Sequence, residues 1–163
     1  MELKQLLDTA AVQSGLLDEL LTVLERETAE MGDINISGMS ASNLAKEELI
    51  NKIAGHAPLM QQALSGLAVR YDLAATTSLK GIADHLAKRG SGGLLLKQQQ
   101  LARTADRIQQ VAALNREIAE RFSSTVATSL TLITRLINQS NVYGASGGYQ
   151  QHPTGAVMIN REA

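Results

Sequence analysis

The amino-acid sequence predicts an all-α protein: an elongated antiparallel helical bundle of three long helices plus one short helix, with a flexible C-terminal tail. Three observations carry that prediction. Hydrophobic residues make up 44% of the 163 but aromatics only 2%, so a core must be built from Leu, Ile, Val, Ala and Met, most of which favour helix. Only Pro58 and Pro153 could interrupt a helical backbone. Apolar residues also recur in alternating steps of three and four, the spacing that lines one face of a helix.

The first helix is expected over residues 2–31. Leu3, Leu7, Ala10, Ser14, Leu17, Leu21, Leu24, Thr28 and Met31 form its stripe, broadened by Leu6, Leu16 and Leu20. At 1.5 Å per residue it is about 45 Å long, and Gly32 is placed to end it as a C-cap. A second helix is expected from Ser40 or Ser42, each able to cap free amides, with the stripe Ile50, Ile53, Ala57, Met60, Leu64, Leu67, Tyr71. Pro58 falls inside that stripe and predicts a bend rather than a break, because the period survives it. Thr76, Thr77 or Ser78 caps a short helix with Leu79, Ile82, Ala83 and Leu86, which stops at Arg89-Gly90-Ser91-Gly92-Gly93. The last helix runs from near Leu94 to about Gln139 along Leu101, Ala105, Ile108, Ala112, Asn115, Ala119, Phe122, Val126, Ser129, Ile133 and Leu136. From Tyr143 onward nothing is periodic. The domain reading is therefore a bundle over 1–140, closing with a partner-binding helix at about 111–140, and a tail over 141–163.

Composition narrows the function. There is no cysteine, hence no disulfide, thiolate nucleophile or thiolate metal site. The start, Met1-Glu2-Leu3-Lys4, shows no secretory signal, and no apolar run reaches the roughly 20 residues that span a bilayer. A cytoplasmic protein without membrane insertion is expected. Residues 1–75 hold 5 Lys/Arg against 11 Asp/Glu, and residues 76–163 hold 10 against 5. Opposed signs in the two halves suit helices packing on each other. Nucleic-acid binding is not expected, because the basic residues are dispersed and no aromatics are interleaved to stack bases.

No catalytic, metal or cofactor constellation emerges, so the chain does not read as an enzyme. Gly90-Ser91-Gly92-Gly93 precedes a helix, but no strand leads into it and no Gly-Lys-Ser/Thr follows. His56, His85 and His152 are isolated residues, without zinc-ligand spacing or a triad. Thr77-Ser78-Leu79-Lys80-Gly81 resembles the histidine phosphotransfer signature, but Thr77 stands where the phosphorylated histidine belongs.

The most informative segment is 122–160, which carries one formal charge, Arg135. Val126, Leu130, Leu132, Ile133, Leu136 and Ile137 recur at helical spacing there, and Ser and Thr fill the remaining surface. Apolar anchors on a charge-poor helix suit a helix-in-groove contact with another protein, because few charges must be desolvated to cover it.

The flanking motifs give that helix a context. Val111-Ala112-Ala113-Leu114-Asn115 precedes it, Tyr143-Gly144-Ala145-Ser146-Gly147 follows it, and Ala156-Val157-Met158-Ile159 lies near the end. This order resembles the FlgN family of flagellar type III export chaperones, with its Leu-Asn-x-x-Asn segment, Tyr-Gly-x-Asp-Gly motif and aliphatic tail; Lys46-Glu47-Glu48-Leu49-Ile50 resembles the family's charged second-helix start. Ile118 and Ser146 depart from the pattern, at the second Asn and the acidic position. The resemblance implies a cytoplasmic chaperone that holds the C-terminal helical region of hook–filament junction proteins and delivers them to the export gate. It implies client contacts at Leu114, Asn115, Ile118, Val126, Leu130, Ile133, Leu136 and Ile137. Tyr143 would face the gate, with Gly144 and Gly147 allowing its turn. The competing reading is a homo-oligomeric coiled coil without a client; a homodimer stays open under either.

Overall fold

A computed structural model describes the backbone of residues 2–140 and side-chain exposure over 2–136. Four helices follow in order: α1 (Glu2–Gly32), α2 (Ile36–Arg70), α3 (Leu79–Lys88) and α4 (Gly93–Ser140). No strand occurs among the described residues. The chain divides into two compact units, Met1–Ala119 and Glu120–Ala163.

In the first unit every member of the α1 stripe from Leu3 to Met31 is buried or half-buried. Against it α2 runs antiparallel, as three cross-links at opposite ends and the middle show: Glu2 with Arg70 at 3.1 Å, Gln13 with His56 at 2.9 Å, and Glu27 with Lys46. The start of α4 runs parallel to α1, pairing Asp18 with Thr104, Glu25 with Arg107 and Thr28 with Asn115. An up-down-up order of the three long helices requires that parallel pair.

Two aliphatic clusters fill the unit. One gathers Leu6, Leu67, Ile82, Leu86 and Leu94 from all four helices. The other joins Leu20, Val23 and Leu24 of α1 to Leu49 of α2 and Val111 of α4. Each buried Leu or Ile contributes about 1.5–3 kcal/mol before entropy is subtracted. Ser14 is buried between the α1 members of the two clusters, its hydroxyl without a hydrogen-bond partner.

Three details differ from the sequence expectations. Helix α2 begins at Ile36, because the Asn35 side chain accepts the Gly38 amide at 3.0 Å and caps the helix there. Ser42 is instead fully buried, its hydroxyl accepting a hydrogen bond from Arg26 Nε at 3.1 Å and donating one to Glu30 Oε2 at 2.6 Å. The seam of α2 is also rotated: Ile50 and Ala57 are exposed, and the inward positions are Ser42, Lys46, Leu49, Ile53, His56, Met60, Ala63 and Leu67. Those residues keep strict steps of four and three, but the polar ones are satisfied by α1 rather than by water. On α4 the buried or half-buried residues between Leu101 and Asn115 are Thr104, Ala105, Ile108 and Val111, and Ala112 and Ala119 are exposed. At Val111-Ala112 and Ile118-Ala119 the larger side chain of the pair turns inward. Helix α2 runs unbroken through Pro58.

Helix ends close by one recurring device. After α1, the Ile34 amide donates to Met31 and the Asn35 amide to Glu30. The same pair of bonds follows α2 at Asp72 and Leu73, and α3 at Gly90 and Ser91. These are Schellman motifs, whose C′ residue adopts the left-handed conformation, with φ of 55° at Ile34, 55° at Asp72 and 85° at Gly90. Gly32, expected to cap α1, is its last helical residue, and Ile34 occupies the position glycine usually takes. A Cβ at Gly38 would lie 2.5 Å from the Asn35 Nδ2, so the shared turn into α2 needs glycine there.

Candidate partner-binding surface

From Glu120 to Leu136 every described side chain of α4 is exposed. Phe122 is 46% accessible, Val126 41%, Leu130 55%, Ile133 52% and Leu136 65%. At about 100° per residue, the positions of these five lie within an arc of about 120° on one side of the helix. They form one apolar stripe along this part of α4, and all five are exposed. Leu132, also exposed, lies off that stripe.

The polar part of this surface is self-satisfied. The Thr125 hydroxyl donates to the Arg121 carbonyl, Thr128 to Ser124, Ser129 to Thr125, Thr131 to Ala127 and Thr134 to Leu130, all at 2.9–3.0 Å. Such i−4 bonds occupy the hydroxyl proton within the helix. Covering the face therefore strips few unsatisfied donors from water, and Arg135 is the one formal charge between Phe122 and Ser140.

The other expected site residues fall in three groups. Leu114 is exposed and Ile118 half-buried. Asn115 is 6% exposed and points into the first unit. Its Nδ2 donates to the Leu24 carbonyl and to Glu27 Oε2, both at 2.9 Å, and its Oδ1 accepts from the Thr28 hydroxyl at 2.6 Å. Glu27 Oε1 in turn holds Lys46 of α2, so one carboxylate touches both neighbouring helices. The Ile137 side chain, Tyr143, Gly144 and Gly147, like the expected tail, lie outside the described residues. Sequence reasoning missed Glu27 and Lys46, whose charge reads as a solvated face, and placed Thr28 on the α1 stripe without a polar role. The one available signal was that Glu27 adjoins Thr28, a polar member of the α1 stripe.

Elsewhere, an open groove of about 440 Å³ is floored by Leu17, Ala57, Met60, Leu79, Leu101 and Ala105. Among the described residues no group of His, Asp or Glu could hold a metal ion, and no helix is long and apolar enough to cross a membrane.

Comparison with known proteins agrees with the motif order. No curated protein and no solved structure matches the chain. The family model described as FlgN protein matches residues 1–151, nearly the full length. An all-helical bundle whose last helix carries an exposed apolar face, matched across both its units, belongs to the FlgN family of flagellar export chaperones.

Proposed function

We propose that this chaperone binds the C-terminal helical region of hook–filament junction proteins in the cytoplasm, keeps them unassembled and delivers them to the flagellar export gate. The carrying observation is the uncovered aliphatic stripe of α4, since a contiguous exposed apolar patch marks an interaction site. Val126, Leu130, Ile133, Leu136 and Ile137 act as the anchors of a helix-in-groove contact. Leu114 and Ile118 extend it toward the N-terminal side, and Asn115 orients its start. Residues 111–140 then form the client-binding element, and 141–163 the segment in which Tyr143, turned by Gly144 and Gly147, meets the gate.

Titration of the full chain with the C-terminal segment of a junction protein tests the first half of this reading. Each aliphatic anchor covered on binding contributes about 2 kcal/mol, so Leu130→Asp with Ile133→Asp weakens binding by about 100-fold or more. Helical content stays unchanged, because both residues are exposed. Loss of the fold, unchanged affinity, or a stable high-order oligomer that buries 126–137 overturns it. In the same series Tyr143→Ala keeps client affinity but abolishes motility in a complementation assay; normal swimming removes the gate assignment.

A further inference from the structure

The buried positions of α4 inside the first unit are aliphatic at Leu94, Leu101 and Val111, with half-buried Ile108 beside them, and polar at one place, Asn115. Aliphatic side chains of similar size pack against α1 almost equally well after a shift along the helix. Asn115 does not share that indifference. Both of its amide protons are used, on the Leu24 carbonyl and on Glu27 Oε2, and its oxygen faces the Thr28 hydroxyl. That hydroxyl has one proton and two acceptors within reach, the Leu24 carbonyl at 3.0 Å and Asn115 at 2.6 Å, and the shorter contact is the one to α4.

We propose that Glu27, supported by Lys46 and Thr28, is a positioning residue that locks α4 in a single register on α1 through Asn115. The inference rests on the reading of 111–140 as the client-binding element. A shift of one heptad in either direction sets Ile108 or Phe122 against Glu27 in place of Asn115. The side chain of Glu27, 13% accessible, then faces a hydrocarbon with its Oε2 unmatched, which is costly for a largely buried carboxylate. Lys46 holds the other oxygen, Oε1, and keeps the carboxylate aimed across the seam. A single buried Asn sets register in coiled coils by the same discrimination.

Two further polar links join α1 and α4, Thr104 to Asp18 at 3.1 Å and Arg107 to Glu25 at 3.4 Å. Both are exposed, and contacts of that kind discriminate weakly. The buried contact decides. Its consequence reaches the proposed client-binding element, because Asn115 is the residue read as orienting the start of that element.

The chain has no cysteine, so spin labels at Glu19→Cys and Gln110→Cys, both exposed, report the α1–α4 register by a distance distribution. The otherwise unaltered labelled chain should give one distance. Glu27→Leu combined with Asn115→Leu keeps the seam filled with apolar groups, so helical content and unfolding midpoint should hold, while register-shifted species appear as additional distances. Client affinity should fall by the inverse of the fraction that keeps the original register, about threefold if three registers share the population. Glu27→Gln retains an acceptor for Asn115 and should restore the single distance and the original affinity. A single, unshifted distance in the double variant overturns the register lock. Added distances with full client affinity overturn its positioning role and, separately, place client binding outside this helix.

Discussion

Ile34 shows what one residue can hide. Its φ of 55° puts a β-branched side chain in the left-handed region, which costs an L-residue about 1–2 kcal/mol. The backbone bonds of the Schellman closure require that conformation whatever residue stands there, and Ile34 is exposed, so no packing compensates. Ile34→Gly should therefore stabilise the protein by about 1 kcal/mol after glycine's own entropy is subtracted, raising the melting temperature by about 2–4 °C. A thermal melt that falls or stays level contradicts the strain. The same position explains why Gly32 misleads as a cap while Gly90 is legible: the closure is defined by amide–carbonyl geometry, and glycine is merely its commonest occupant.

Among the elements, α1 was readable because its inward positions are nearly all aliphatic. The α2 seam was not, since Ser42, Lys46 and His56 occupy inward positions that only α1 makes tolerable. The candidate face at Phe122–Leu136 was visible through its missing charges. The inward turn of Asn115 was hidden, because its partners lie 87 to 91 residues away in sequence. Helix α3 depends most on its surroundings. With 10 residues it is too short to persist alone, and Ile82, Ala83 and Leu86 bind it to the aliphatic cluster. Ile82→Ala should cost about 2–5 kcal/mol, with amides of 79–88 losing hydrogen-exchange protection before those of α1. Equal loss in both helices would show that the short helix has no independent opening.

Across the whole molecule, charge is partitioned. Acidic α1 meets basic residues of α2 and α4 at Lys46, Arg70 and Arg107, while the stretch from Phe122 to Ser140 keeps Arg135 alone. A client seated on that stretch should be held with almost no Coulombic contribution. From about 10 mM to about 1 M salt the screening length falls from about 30 Å to about 3 Å, yet client affinity should change by less than about threefold. The same titrations repeated at several temperatures should give a negative heat-capacity change, the mark of apolar burial. A tenfold loss at high salt would assign the contact to the charged residues outside the stretch. With the hydroxyls of Thr125 to Thr134 bonded back to their own helix and almost no charge beside them, a client held on this face should be held independently of the ionic milieu and less tightly on cooling.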